Sequence, residues 1–186
     1  MSSSSFTKQM IAQGTKHLVQ TMDIEKITVK DIINYCEIAR NTFYYHFKDK
    51  YDVINWIFYS EITPIIGENH AIDNWSASLL SLCHYLQDNK AFYIKVLNLQ
   101  GQNSFTECLM DFYVNLVKDL LINAHADKIL DSNQIQIIAN FYAFGLTGVI
   151  ANWAKNGMQT DPQAAIQILE DLLSGDIFNT IIATNK

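Results

Sequence analysis

Two short helices joined by a tight turn are predicted by one segment, TVKDIINYCEIARNTFYYHFKDK, which spans residues 28–50. Thr28 and Asp31 form the TxxD pattern that is typical of a capping box at the start of a helix. The apolar residues that follow have helical spacing and define the inner face of this helix: Val29, Ile32, Ile33 and Cys36. The residues predicted to form the inner face of the next helix are spaced four apart: Ala39, Phe43 and Phe47.

Every outward side chain of the second of these helices can donate a hydrogen bond. The outward positions are Arg40, Asn41, Tyr44 and Tyr45, with Thr42 and His46 on the flanks. The Arg40 guanidinium can make a bidentate contact with guanine, and the Asn41 amide can pair with adenine or bind a phosphate. Because a short helix that follows a tight turn can lie in the major groove of DNA, this segment predicts sequence-specific DNA binding.

The charge distribution assigns DNA binding to the N-terminal third of the chain. The 186 residues include 13 Lys and Arg and 19 Asp and Glu, which gives a net charge of −6. Residues 1–60 hold seven basic and six acidic residues, a net charge of +1, and residues 61–186 hold six and thirteen, a net charge of −7. A chain with this balance does not coat nucleic acid with its whole surface, so any binding is expected to be local.

The sequence predicts no cofactor, no metal site and no enzymatic activity. Cys36, Cys83 and Cys108 are widely spaced and form no CxxC pair, which favours reduced thiols in a cytoplasmic protein. The histidines lack the spacing of a chelating pair on a helix. No nucleotide-binding or zinc motif is present.

Helical periodicity extends over the rest of the chain, which is predicted to be all-α. A first helix carries an apolar stripe, with Ser5 as its N-cap: Phe6, Met10, Ile11, Leu18 and Met22. A long helix is expected from Lys50 to about Thr63, ended or kinked by Pro64 and Gly67. Later helices are expected at about residues 75–86, 91–99, 105–124, 134–156 and 162–173. We therefore predict two domains, a helix-turn-helix domain of residues 1–60 and a helical bundle of residues 61–186.

A segment without charged residues, 132–154, has two alternative interpretations as a soluble helix. It contains too many Asn and Gln side chains for a membrane span. Its apolar circumference is too wide for one core stripe, and Ala139, Ala143 and Gly148 would allow another helix to approach closely. We therefore predict a homodimer in which this helix and the helix at 162–173 form a four-helix interface. The alternative is a helix buried within its own subunit.

Residues 28–31 and 38–50, with the long helix after them, resemble the DNA-binding domain of the TetR family of transcriptional regulators. The resemblance implies that Arg40 contacts a base and that Tyr45 contacts a base or a phosphate. It also implies a set of phosphate contacts: Thr28, Asn41, Thr42, Tyr44, His46 and Lys50. Two positions depart from the family pattern, because Glu37 stands where the turn usually has Gly and Ala39 where the helix usually begins on Ser or Thr.

The bundle resembles the regulatory and dimerisation domain of that family, and residues 92–105 resemble a subgroup that activates dihydroxyacetone kinase operons. The resemblance implies a dimer on a palindromic operator, controlled by a signal received by the bundle. One version of that signal is a small ligand in a cavity lined by aromatic side chains: Tyr85, Phe92, Tyr113, Phe141 and Trp153. The other version is a partner protein related to dihydroxyacetone kinase. The alternatives to an activator are a small-ligand-responsive repressor and a helical adaptor that does not bind DNA.

Overall fold

The computed structural model describes residues 3–66, 75–99 and 105–173, and the regular structure in these ranges is helical throughout. The α-helices are α1 (Ser3–Thr21), α2 (Val29–Tyr35), α3 (Arg40–His46), α4 (Lys50–Ile66), α5 (Trp75–Asp88), α6 (Lys90–Leu97), α7 (Phe105–Asn123), α8 (Ser132–Lys155) and α9 (Pro162–Leu173). A short 3-10 helix, Ala126–Lys128, precedes α8. The all-α prediction is confirmed, and the helices after α4 begin and end within two residues of their predicted limits.

Helix α2 begins as the sequence predicts. The Thr28 hydroxyl and the Asp31 carboxylate each accept a hydrogen bond from the other residue's backbone N–H, which completes the capping box. Glu37 then adopts a φ of 52°, in the left-handed region, and redirects the chain toward α3. Phe43 and Phe47 are buried and hold α3 against the core. The turn therefore places a non-glycine residue in the left-handed region, at a conformational cost of about 1 kcal/mol.

Three details at the N-terminal end differ from the predictions. Ser5 lies inside α1 and is not its N-cap. Phe6 and Met22 are exposed, because the buried stripe of α1 passes instead through Ile11, Thr15, Leu18 and Val19. Ala39 is exposed as the N-cap of α3 and makes no side-chain cap hydrogen bond, so its inward placement was wrong.

Helix α4 runs without a break from Lys50 to Ile66 and contains Pro64. The proline lies on the exposed side, and its missing N–H does not end the helix where the sequence suggested. Gly67 lies outside the described residues. The proposed domain boundary at residue 60 therefore falls inside α4, which connects the N-terminal helices to the body, and the buried residues on both sides form one hydrophobic cluster.

Helix α8 packs along α7 and divides into a buried and an exposed side. The buried side consists of Ile135, Ala139, Ala143, Thr147, Ile150 and Ala154. Ala139 and Ala143 therefore belong to the core of the subunit, which corrects their predicted place on the dimer face. The exposed side is also apolar, and Phe141 is 73% and Phe144 61% exposed. By length and composition alone, α8 passes the test for a membrane-crossing helix.

Candidate nucleic-acid interface and its links to the body

Helix α3 presents a continuous row of polar side chains to solvent. Arg40, Asn41, Tyr44 and Tyr45 are all exposed, and Tyr45 is 81% exposed. The Arg40 guanidinium lies 5.3 Å from the centre of the Tyr44 ring, a distance at which the ring attracts the cation and orients it. The structure therefore brings these four predicted contacts together on one face, where hydrogen-bond donors are available to a ligand.

Two flanking side chains, Thr42 and His46, are only partly exposed. The His46 ring meets the Tyr45 ring edge-on at 4.9 Å, at the C-terminal end of the row. Burial of Phe43 and of Phe47, each the residue after one of these positions, fixes the rotation of α3 about its axis. Thr42 and His46 therefore lie at the margin of the exposed row, as the sequence predicts.

Thr28 lies at the start of α2, where its hydroxyl donates a hydrogen bond to Asp31 Oδ2 at 2.6 Å. The Thr28 backbone N–H donates to the same oxygen at 2.8 Å. These hydrogen bonds from Thr28 lower the pKa of the Asp31 carboxyl. Because a phosphate oxygen only accepts hydrogen bonds, the predicted phosphate contact of Thr28 would require its hydroxyl to turn away from Asp31 Oδ2, while the two backbone hydrogen bonds of the capping box could remain.

Lys50 does not point toward the α3 surface. Its ammonium group donates to the carbonyl oxygens of Ile24, Glu25 and Ile27 at 2.7, 3.3 and 2.8 Å. Partial burial lowers the pKa of this lysine. Since an ammonium group has three protons, all of its donors are used within the subunit, and the predicted phosphate contact of Lys50 would require it to release these carbonyl oxygens.

Two exposed lysines near α3 were missed by the sequence reasoning. Lys30 lies on α2 and Lys48 lies in the turn after α3, and both are exposed. Neither lysine lies among the outward positions of the second predicted helix, from which the other contacts were chosen. The positive net charge of residues 1–60 was the signal that pointed to them. Both are exposed cations of the helix-turn-helix segment.

The five aromatic residues predicted to line a ligand cavity do not surround a common space. Phe92 and Tyr113 are fully buried in the packed core, whereas Phe141 projects into solvent from α8. Trp153 borders a groove of about 230 Å³ between α5, α8 and α9, and the other four residues do not line this groove. Its walls are mainly apolar and include Leu79, Cys83, Ile150, Ile166 and Leu169. The prediction of one cavity lined by all five residues was therefore wrong.

Tyr85 belongs instead to a polar junction of four helices. Lys16 on α1 forms an ion pair with Glu61 on α4, with its ammonium 2.9 and 3.0 Å from the two carboxylate oxygens. The hydroxyls of Tyr85 on α5 and Tyr93 on α6 both donate to Glu61 Oε2. Burial, followed by the adjacent Glu61, raises the pKa of Tyr85. This junction joins α1 to three helices, α4, α5 and α6.

A second polar contact joins the same two parts of the chain. Lys95 on α6 donates to the backbone carbonyls of Gln20 and Met22, each at 3.0 Å. These carbonyls lie at the C-terminal end of α1, immediately before the segment that leads into α2. Helix α6 therefore contacts the N-terminal region both through its buried aromatic residues and through this lysine.

Comparison with known proteins agrees with this architecture. Residues 73–175 match the TetR-type family model that describes a transcriptional regulator C-terminal region. The chain belongs to the TetR family of transcriptional regulators. This assignment confirms the resemblance that was stated on the helix-turn-helix segment. The matched residues belong to the C-terminal part of the chain, so the two observations come from different residues.

One curated relative is the HTH-type dhaKLM operon transcriptional activator DhaS of Lactococcus lactis subsp. lactis strain IL1403. It is 34% identical over 96 residues, which are 52% of this chain and 51% of the relative. The matched stretch thus spans about half the length of that relative. The predicted similarity to activators of dihydroxyacetone kinase operons is confirmed at this level.

Several solved structures share the fold across nearly the whole chain. The dihydroxyacetone kinase operon activator DhaS superposes with a TM-score of 0.64 at 24% identity, covering 92% of this chain and 96% of that one. The fatty acid degradation regulator FadR from Bacillus halodurans gives a TM-score of 0.60 at 17% identity, covering 91% and 95%. NalD of Pseudomonas aeruginosa gives 0.58 at 14% identity, covering 92% and 97%. At these identities the likeness concerns the fold alone.

Proposed function

We propose that this protein is a sequence-specific DNA-binding transcriptional regulator, not an enzyme, and that it acts as a homodimer in the cytoplasm. The observation that carries the proposal is the exposed row of Arg40, Asn41, Tyr44 and Tyr45 on α3. A helix of seven residues that buries Phe43, is followed by the buried Phe47, and exposes a guanidinium, an amide and two phenols has the chemistry needed to contact base edges and phosphates.

Within this proposal, residues 1–60 form the DNA-binding domain and residues 61–186 the regulatory and dimerisation domain. Arg40 reads a base, and Tyr45 contacts a base or a phosphate. The phosphate contacts are Thr28, Asn41, Thr42, Tyr44 and His46 together with the exposed Lys30 and Lys48. This set leaves out Lys50 because its ammonium is bound to backbone carbonyls.

The exposed side of α8 is the proposed dimer interface. Ile137, Phe141, Phe144 and Val149 form an apolar stripe at helical spacing on this side. A Cβ atom added to Gly145 or Gly148 would meet no neighbouring atom, so the backbone there is open to a close helix approach. The exposed Ile168 of α9 extends the apolar surface. A second copy of the chain, rather than a lipid bilayer, would cover this face, as a palindromic operator requires.

The control of a dihydroxyacetone kinase operon is the proposed biological role. It is supported by the 34% identity to an activator of the dhaKLM operon. In this role the effector is a protein partner related to dihydroxyacetone kinase, which would bind one spacing of the two DNA-binding domains better than another. The groove beside Trp153 supports a second candidate, a repressor that responds to a small apolar ligand.

The test is selection of bound sequences from a random duplex pool, followed by binding measurements with Arg40→Ala. We expect a palindromic site, and we expect the variant to lose about 1–3 kcal/mol of binding free energy at one symmetric pair of positions. Lys90→Ala is the control, because it removes one positive charge from an exposed position on α6. Equal weakening on all sequences would place Arg40 among the phosphate contacts, and no enrichment from the pool would favour the adaptor.

A further inference from the structure

The C-terminal end of α1 is held by a lysine from the regulatory body. The last carbonyl groups of an α-helix have no partner within the helix and carry the negative end of its dipole. At this end of α1, the carbonyls of Gln20 in the last turn and of Met22, the residue that follows the helix, accept hydrogen bonds from the Lys95 ammonium at 3.0 Å. Lys95 thus supplies a C-terminal cap for α1 from a helix that lies more than 70 residues further along the chain.

The segment that follows α1 is held by a second lysine. Lys50 on α4 binds the carbonyls of Ile24, Glu25 and Ile27. The next residue is Thr28, the N-cap of α2. The whole connection from α1 to the helix-turn-helix is therefore fixed by two ammonium groups, of which one belongs to α4 and the other to α6.

Helix α6 is itself rigidly placed in the body. Phe92 and Tyr93 are fully buried, and the Lys16 ammonium of α1 lies 5.7 Å from the centre of the Phe92 ring. A displacement of α6 would move Lys95 relative to the carbonyls that it binds. Because α6 lies within residues 73–175, the part that matches the regulator C-terminal region, this contact joins the body directly to the DNA-binding domain.

We propose that Lys95 is a positioning residue for DNA binding, which ties α6 to the C-terminal end of α1 and so sets the position of the recognition helix α3. The inference rests on the proposed function. A dimer binds an operator only when its two recognition helices are about 34–36 Å apart. Loss of the Lys95 contact widens the distribution of domain positions and lowers the fraction of dimers with the required spacing, which weakens the apparent affinity in proportion.

The test compares Lys95→Met with Lys90→Met on the same helix. Both variants remove one positive charge, but Lys90 is exposed and Lys95 holds the two carbonyls. We expect Lys95→Met to bind the selected operator about 3- to 10-fold more weakly than Lys90→Met, which corresponds to a competent fraction of roughly a third to a tenth. The slope of log affinity against log salt should be the same for both, because no phosphate contact is lost. Lys95→Arg, which restores the donors, should recover the affinity.

Hydrogen exchange provides a readout that does not depend on DNA. In Lys95→Met, the backbone amides of residues 20–28 should exchange about threefold faster or more than in Lys90→Met, while those of α7 and α8 stay unchanged. Equal operator affinity of the two variants would overturn the proposal, as would a loss of affinity that matches the fraction of unfolded protein. If the wild-type protein binds no duplex, the proposed function fails, whereas the exchange comparison still decides whether Lys95 holds α1.

Discussion

The substitution Lys50→Met distinguishes a structural lysine from a DNA-contacting one. Methionine keeps most of the aliphatic length but removes the ammonium that binds three carbonyl oxygens, two of them at 2.7 and 2.8 Å. A hydrogen bond to a charged group contributes about 1.5–3 kcal/mol to stability. Two effects reduce this loss. Because the lysine is only partly buried, water can hydrogen-bond to part of the carbonyl oxygens that it leaves. The substitution also removes a charge whose partial burial is itself unfavourable. We expect a net loss of about 1–3 kcal/mol in the free energy of unfolding.

Two measurements separate the roles of Lys50. In thermal unfolding, a loss of 1 kcal/mol lowers the midpoint by roughly 2–4 °C for a chain of this size. In DNA titrations, the slope of log affinity against log salt should stay at the wild-type value, because a lysine without free donors neutralises no phosphate. The matched control is Lys48→Met, which changes the same charge at an exposed position two residues away.

The control should show the opposite pattern. We expect Lys48→Met to change the free energy of unfolding by about 0.5 kcal/mol or less, as is usual for exposed positions. Its salt slope should fall by about 0.9 for each phosphate contact that is lost. Lys50→Met could instead leave the unfolding midpoint unchanged and reduce the salt slope. The hydrogen bonds to the carbonyls would then not stabilise the protein, and the assignment of Lys50 as a phosphate contact would be correct.

Three further outcomes are expected. Phe141→Glu, on the exposed side of α8, should convert dimers to folded monomers in sedimentation. Ala143→Glu should instead unfold the protein, because Ala143 is fully buried. A folded, monomeric Ala143→Glu would contradict the assignment of Ala143 to the core. Glu37→Gly should raise the free energy of unfolding by up to about 1 kcal/mol, because glycine adopts the positive φ without strain, and a measured decrease would count against strain there. The lowered pKa of Asp31 stabilises the protein above the carboxyl's unfolded pKa of about 3.9, and this contribution is lost as pH falls through the lower folded pKa. Asp31→Asn should therefore lose less stability than wild type between about pH 5 and pH 3 in urea titrations.

Local features of the sequence determined the helices and the composition of the exposed surface of α3. The capping box at Thr28 and Asp31 depends on residues three positions apart, so it can be read without knowledge of the fold. The same holds for α3, where the burial of Phe43 and Phe47 fixes which side chains face outward. Family resemblance and helix limits followed from these short-range patterns.

Tertiary structure alone decided which of several equivalent surfaces faces the core. Helix α8 is apolar on nearly all sides, so periodicity could not choose between Ala143 and Phe141 as the buried position, and the packing against α7 made that choice. Likewise, the sequence places Lys50 beside α3 but does not say where its flexible side chain ends, because the carbonyls that bind its ammonium lie more than 20 residues earlier in the chain. Lys95 reaches α1 across a still larger separation. Contacts of this kind arise from how whole helices pack, and a local pattern carries no information about them.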